Sequence, residues 1–213
     1  MTVEVKICGT TRAEDAQAAL DAGADYVGFV LYAGSPRCVS VTEMNRMLRA
    51  LDGEVRAVGV FVNEARARVE EIAGECGLFA VQLHGDEDPE EFADMTVPVW
   101  RALRAGQGDP GSEAACWQAE RYVVDAAVPG RYGGTGVTAD WQAAATLAAG
   151  HPVMLAGGLT PENVAEAVRR VCPLGVDAVS GVESEPGRKD PVKLEAFVRR
   201  AKTAARGGED APR

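Results

Sequence analysis

Two glycine loops in the carboxyl-terminal half of the chain have the residue types that bind a phosphate. Gly157-Gly158 follows an apolar run and precedes a helix start, with Thr160 as N-cap and Pro161 as the first helical residue. Ser180-Gly181 ends the next apolar run. Glycine lets backbone N–H groups approach an anion closely, and a helix N-terminus adds positive potential. The two loops therefore predict an anion site, although Gly157-Gly158 could instead serve only as a packing turn.

Two titratable residues, Cys8 and Asp125, end apolar runs far apart in the chain. A thiolate is a competent base or nucleophile, and a nearby cation lowers its pKa. An aspartate at the end of a buried strand can act as a general acid if burial raises its pKa. The alternatives are that Cys8 is a small buried hydrophobic residue and that Asp125 caps the following loop.

Three further segments have side chains or backbone suited to ligand contact. Arg37 follows Ser35-Pro36, and its planar fork suits a carboxylate unless it is a solvated surface arginine. His84 either contacts a ligand or anchors its own loop, and anchoring is favoured. The run Gly133-Gly134-Thr135-Gly136 resembles a mobile lid that touches a phosphate, with Gly134, Thr135 and Gly136 as its contacts.

These positions lie at the ends of eight strand-like runs that alternate with helical stretches. The runs are Val3–Cys8, Asp25–Leu31, Arg56–Val62, Leu78–Leu83, Val97–Leu103, Arg121–Asp125, Pro152–Ala156 and Val176–Ser180. The helical stretches are Ala13–Ala22, Val41–Leu51, Ala65–Cys76, Ala139–Ala149, Pro161–Val171 and Pro191–Ala205, with weaker patterns at Pro89–Met95 and Ser112–Ala119. This alternation predicts a parallel sheet, and eight units predict a single (β/α)8 barrel. In that fold the carboxyl ends of the strands carry the active site, so Cys8 and Asp125 would face one mouth.

Composition fits one globular domain, expected over residues 1–205, with a disordered tail over 206–213. The chain has 213 residues, 46% of them hydrophobic, and a formal net charge of −10, which argues against a nucleic-acid partner. No apolar run suggests a membrane span, and no signal peptide is recognised. Five scattered cysteines predict free thiols in a reducing cytoplasm, and two histidines make a structural zinc site unexpected.

Several segments together resemble the phosphoribosylanthranilate isomerase family. They are Val5-Lys6-Ile7-Cys8-Gly9, Ser35-Pro36-Arg37, Gly59-Val60-Phe61, Val81-Gln82-Leu83-His84-Gly85, Gly133-Gly134-Thr135-Gly136, Leu155-Ala156-Gly157-Gly158-Leu159, Ser180-Gly181-Val182-Glu183 and Gly187-Arg188-Lys189-Asp190. The combination is more specific than any single segment. One departure is Val179, since the family usually has a serine there, before Ser180.

The resemblance implies an Amadori rearrangement of N-(5-phosphoribosyl)anthranilate in tryptophan biosynthesis, without cofactor or metal. It implies that Asp125 protonates the ribose ring oxygen and that Cys8, as thiolate, removes the C2 proton. Arg37 would bind the anthranilate carboxylate. Backbone amides near Gly134–Gly136, Gly157-Gly158 and Ser180-Gly181 would bind the phosphate. The expected partner is a small phosphoribosyl substrate, and the expected state is a monomer or homodimer.

Two other functions stay open at this point. One is isomerisation of the related histidine-pathway aminoaldose, alone or in addition, although its two phosphates would need two opposed anion sites. The other is a barrel that binds a phosphosugar without converting it, which the presence of both Cys8 and Asp125 disfavours.

Strand alternation also predicts an ion pair beneath Cys8. Lys6 lies on the same inward face one layer below, and a lone ammonium inside a barrel is costly. Strand 8 neighbours strand 1 in a closed barrel, and Asp177 lies at a similar depth. We therefore predict a buried Lys6–Asp177 pair that fills the interior and favours the Cys8 thiolate; the alternative is that Lys6 reaches the ligand.

Overall fold

Eight parallel strands close into a barrel in the computed structural model, which describes residues 2–105, 110–126 and 141–206. The strands are β1 (Glu4–Ile7), β2 (Tyr26–Val30), β3 (Ala57–Phe61), β4 (Ala80–Leu83), β5 (Val99–Ala105), β6 (Arg121–Ala126), β7 (Val153–Leu155) and β8 (Gly175–Ala178). The helices are α1 (Ala13–Asp21), α2 (Val41–Ala50), α3 (Arg66–Cys76), α4 (Pro110–Cys116), α5 (Trp141–Ala148), α6 (Val164–Val171) and α7 (Pro191–Arg206). The predicted (β/α)8 barrel is confirmed.

Alternation along the strands separates two apolar layers, as a closed barrel requires. The barrel interior is filled by Tyr26, Val58, Ala80, Trp100, Ala102, Val123, Met154 and Ala156. The residues between them face the helices and form the larger core, to which Val5, Ile7, Val176 and Ala178 belong. Both layers are apolar, so the polar side chains that the strands place inside the barrel stand out as candidates for function.

The amino end of the barrel is closed by a polar and aromatic cluster. Arg121 at the start of β6 forms an ion pair with Glu4 and donates a hydrogen bond to the Tyr26 hydroxyl at 3.0 Å. Its guanidinium also lies 5.0 Å from the Trp100 ring centroid, within the range of a cation–π interaction. This end therefore contributes to stability and leaves the carboxyl end for the site.

Two predicted helices differ from the structure. Residues 89–95 form turns instead of the expected helix, because only Phe92 of this acidic segment is well buried. The Arg66 guanidinium further holds the turns through the Glu91 carbonyl at 2.8 Å. The helix expected over Ser112–Ala119 is shifted to Pro110–Cys116.

The helix after β7 starts at Val164, not at Pro161, so the predicted Thr160 N-cap was wrong. The Asn163 side chain accepts from the Thr160 N–H at 2.8 Å and donates to the Gly158 carbonyl at 2.9 Å. These bonds hold residues 158–163 in a turn. The Thr160 hydroxyl accepts from the Glu162 N–H at 3.2 Å within that turn, as in a local side-chain turn motif.

The chain returns to the barrel mouth after β8. A short 3₁₀ helix, Ser180–Val182, leads into a small antiparallel pair of strands, β9 (Glu183–Glu185) and β10 (Arg188–Lys189). Helix α7 then runs to Arg206, one residue past the expected domain end, and residues 207–213 of the expected tail lie outside the described residues. In the part of the chain that the structure describes, every helix is too short or too polar to span a membrane.

Candidate active site

The predicted ion pair between β1 and β8 is present. Lys6 and Asp177 are register partners, and the Lys6 ammonium lies 2.7 Å from Asp177 Oδ2, with Lys6 fully buried. Burial lowers the Lys6 pKa, but the Asp177 carboxylate and the ionisable sulfur of Cys8 raise it by more, so that the Lys6 pKa is raised overall. Lys6 therefore stays protonated beneath the mouth of the barrel.

Cys8 lies directly above this pair and is only 4% exposed. Burial raises the pKa of the Cys8 thiol, and the Asp177 carboxylate raises it further, while Lys6 and Lys189 lower it. The expected contribution of Lys6 is present in direction, but it does not prevail over burial. Burial therefore keeps the Cys8 pKa above its ordinary value although two lysines lie near the thiol.

A glycine on β2 makes room for Cys8 and Lys6. A Cβ atom at Gly28 would lie 2.5 Å from Cys8 Sγ and 3.0 Å from Lys6 Cε. Such distances exclude an undisturbed side chain at this position. The absence of a Cβ at Gly28 thus leaves the space beside β2 in which the Cys8 and Lys6 side chains lie.

Arg37 is bound at this mouth and is not a solvated surface residue. It is 8% exposed and donates from Nε and Nη2 to the two oxygens of Glu183, at 2.8 and 2.6 Å. The hydrogen bond to Glu183 raises the Arg37 pKa further. Its stem crosses Gly9, whose positive φ of 70° suits glycine and where a Cβ would lie 2.6 Å from Arg37 Cδ. Glu183 thus occupies one edge of the fork, which leaves the Nη1–Nη2 edge as the one suited to a second carboxylate.

A second buried lysine, Lys189 on β10, links the hairpin after β8 to Cys8. The Lys189 ammonium donates to the Cys8 carbonyl at 2.6 Å, the Val179 carbonyl at 3.2 Å and the Glu183 carboxylate at 3.1 Å. Burial lowers the Lys189 pKa even with Glu183 beside it. Lys189 therefore joins the ends of β1 and β8 to the carboxylate that orients Arg37.

His84 follows β4 and belongs to the interior hydrogen-bond network. Its Nδ1 lies 3.0 Å from Nε2 of Gln82, whose Oε1 accepts from the Lys6 ammonium at 3.0 Å. Both residues are buried, and the His84 backbone N–H donates to the Phe61 carbonyl at 2.9 Å. These contacts bring the His84 ring to the carboxyl end of the barrel, and the choice between loop anchoring and ligand contact stays a prediction.

The two glycine loops of the predicted anion site are neighbours. Gly157 and Gly158 have φ values of 79° and 65°, which side chains with a Cβ rarely adopt. A Cβ at Gly181 would lie 1.9 Å from the Leu159 carbonyl oxygen, so the loops after β7 and β8 are in contact. Ser180 and Gly181 begin the 3₁₀ helix, whereas α6 begins only at Val164.

The structure describes the remaining predicted site residues only in part. Asp125 belongs to β6 and pairs in register with Arg104, two positions after Val123 of the interior layer. Its side chain lies outside the described part of the structure. Gly134, Thr135 and Gly136 also lie outside the described residues.

Three side chains that contact the predicted site residues were not predicted from the sequence: Gln82, Glu183 and Lys189. Gln82 could have been found, because it lies two residues before His84 and so on the same strand face. Glu183 and Lys189 belong to the short hairpin after β8, where no periodic pattern indicates which side chains turn inward. Both lie within segments that resemble the family, Ser180-Gly181-Val182-Glu183 and Gly187-Arg188-Lys189-Asp190.

A closed (β/α)8 barrel with a thiol, an arginine and two glycine loops at its carboxyl mouth belongs to the class of barrel enzymes that act on small anionic substrates. Residues 5–200 match the family model described as N-(5'phosphoribosyl)anthranilate (PRA) isomerase. The chain is a member of that family.

Individual proteins agree with this assignment. An N-(5'-phosphoribosyl)anthranilate isomerase of Trichlorobacter lovleyi is 46% identical over 203 residues, covering 95% of this chain and 99% of the relative. The crystal structure of phosphoribosyl anthranilate isomerase from Thermotoga maritima superposes with a TM-score of 0.86 at 36% identity, covering 94% and 99% of the two chains. A phosphoribosyl anthranilate isomerase in complex with reduced 1-(o-carboxyphenylamino)-1-deoxyribulose 5-phosphate has a TM-score of 0.83 at 35% identity, with the same coverage.

Proposed function

We propose that the chain catalyses the Amadori rearrangement of N-(5-phosphoribosyl)anthranilate to 1-(2-carboxyphenylamino)-1-deoxyribulose 5-phosphate in tryptophan biosynthesis. The observation that carries the proposal is the placement of Cys8 over the Lys6–Asp177 pair, beside Arg37 and at the barrel mouth that holds both glycine loops. Family membership supports the same substrate. Five free cysteines support a reducing, cytoplasmic location, and a monomer or homodimer suffices for this site.

The residues divide the proton transfers between two groups. Asp125 gives a proton to the ribose ring oxygen, which opens the ring to an iminium at C1. The Cys8 thiolate removes the C2 proton, and the resulting enolamine takes a proton at C1 while its C2 hydroxyl becomes the ketone. Arg37 binds the anthranilate carboxylate through the fork edge that Glu183 leaves, and backbone amides of Gly134–Gly136, Gly157-Gly158 and Ser180-Gly181 bind the phosphate.

One assay tests the reaction and its alternatives together. The protein is incubated in D2O with N-(5-phosphoribosyl)anthranilate or with the histidine-pathway aminoaldose. The products are then separated and their deuterium content is measured by mass spectrometry. We expect conversion of the first substrate with solvent deuterium at C1, because the C2 proton is exchanged on Cys8. Conversion of the second substrate alone would overturn the assignment, and binding without conversion of either would show a non-catalytic barrel.

Arg37→Ala should raise KM for the anthranilate substrate by about 10- to 100-fold, the loss expected for charge-assisted hydrogen bonds to a carboxylate. Arg37→Lys should recover only part of this, since an ammonium lacks the planar fork. Steady-state kinetics check both variants. Arg46→Ala, on the exposed side of α2, is the matched control. A wild-type KM in Arg37→Ala would show that the carboxylate binds elsewhere.

Gly28→Ala should lower kcat by up to about 100-fold, because the new methyl group displaces the Cys8 sulfur from its position. Gly74→Ala is the control: it adds the same methyl group on α3 with nothing within 4 Å and should leave kcat unchanged. Circular dichroism confirms that both variants fold. Unchanged kcat in folded Gly28→Ala would contradict the close placement of Cys8 and Gly28.

A further inference from the structure

A row of buried polar side chains crosses the barrel from β8 to β4. Asp177 accepts from the Lys6 ammonium at 2.7 Å, Lys6 also donates to Gln82 Oε1 at 3.0 Å, and Gln82 Nε2 lies 3.0 Å from His84 Nδ1. The four side chains are between 0% and 7% exposed. The proposed chemistry uses Cys8 and Asp125 but gives Gln82 no role.

The direction of every hydrogen bond in this row follows from Lys6. An ammonium group has donors and no acceptor, so the Gln82 amide must turn its oxygen toward Lys6. Its NH2 group then faces His84. Because an amide NH2 only donates, His84 Nδ1 must accept, and the ring proton is left on Nε2.

We infer that Gln82 is a positioning residue that holds His84 as the neutral tautomer with its proton on Nε2. At the carboxyl end of β4, His84 is then a hydrogen-bond donor that suits an acceptor oxygen of an anionic sugar substrate. It is neither a second buried cation beside Lys6 nor a base acting through Nδ1. The donor role rests on the proposed function, whereas the tautomer rests on the buried row alone.

The tautomer is tested by nitrogen-15 NMR of the intact protein, which is practicable because the chain has two histidines, His84 and His151. A His151→Gln variant assigns the signals. We expect Nδ1 of His84 to resonate as an unprotonated nitrogen and Nε2 as a protonated one at neutral pH. A protonated Nδ1 in the wild-type protein would overturn the inference.

Gln82→Glu reverses the polarity of the last bond. A carboxylate can still accept from Lys6 but cannot donate, so His84 Nδ1 should gain a proton. Gln82→Met removes the hydrogen bonds of residue 82 to Lys6 and to His84, so neither tautomer of His84 should then be favoured. This second variant keeps the test valid if Gln82→Glu folds poorly. Gln118→Glu, on the exposed loop before β6, introduces the same charge as a control and should leave the His84 signals unchanged.

Activity separates the two parts of the inference. Loss of a positioned donor should lower kcat/KM of Gln82→Glu by about tenfold. A reversed tautomer with wild-type kcat/KM would overturn the donor role. An inactive wild-type protein with the expected His84 signals would instead overturn the proposed function and leave the tautomer established.

Discussion

Replacing Cys8 with serine should lower kcat by about 10²- to 10⁴-fold, the usual cost of losing a positioned proton-transfer group. A serine hydroxyl in the same buried place is a far weaker acid than a thiol, so it supplies almost no anion to remove the C2 proton. Asp125→Asn should cause a loss in the same range, because an amide cannot give the ring oxygen a proton. KM should change much less in both variants. Near-normal kcat in either one would remove that residue from the mechanism.

The pH dependence supplies a second measurement for Cys8. Burial raises its pKa, so the thiolate is scarce at neutral pH and is lost further as the pH falls. The wild-type kcat/KM should therefore rise on the alkaline side until the thiol is ionised. An alkaline limb that persists unchanged in the residual activity of Cys8→Ser would belong to another group.

Lys6→Met should lower the free energy of unfolding by about 3–5 kcal/mol, because it leaves the Asp177 carboxylate buried without its cation. Urea titration measures this effect. The double variant Lys6→Met/Asp177→Leu should regain most of the loss, since an apolar pair needs no partner in the interior. A Lys6→Met variant as stable as the wild type would show that breaking the ion pair costs no stability.

The two members of the ion pair should have opposite effects on the reactivity of Cys8. Lys6→Met should raise the Cys8 pKa and Asp177→Asn should lower it, because these neighbours act oppositely on the thiolate. Alkylation is followed against pH on the Cys8 peptide by mass spectrometry, since Cys38, Cys116 and Cys172 are exposed and also react. Equal Cys8 rates in both variants would exclude the electrostatic coupling.

The alternation of eight strand-like runs with helical stretches predicted the barrel. The inward face of β1 followed from alternation, and the closed ring then placed Lys6 beside Asp177. The pKa of a buried group depends on both its burial and its charged neighbours. The sequence gives the size of neither effect. Lys6 acts on the Cys8 pKa in the expected direction, but near-complete burial opposes it and raises that pKa overall.

Short sequence motifs predicted a local structure wrongly where another side chain binds the backbone groups concerned. Thr160-Pro161 has the residue types of a helix start, but the Asn163 side chain bonds to both sides of that turn and delays α6. The Glu183 and Lys189 contacts depend on how a short hairpin folds over the mouth. No periodic pattern describes such a hairpin, so the structure was needed to find the partner of Arg37.

Cys8 lies where the first and last strands of the barrel meet. The bond from Lys189 to the Cys8 carbonyl joins residues 181 positions apart, and the Lys6–Asp177 pair spans 171. During synthesis the amino-terminal strand leaves the ribosome first and waits for nearly the whole chain before either partner emerges. Premature termination before β8 therefore yields chains that hold Cys8 and lack Asp177, Glu183 and Lys189. The buried surroundings of Cys8 can therefore form only after β8 and the hairpin that follows it have been synthesised.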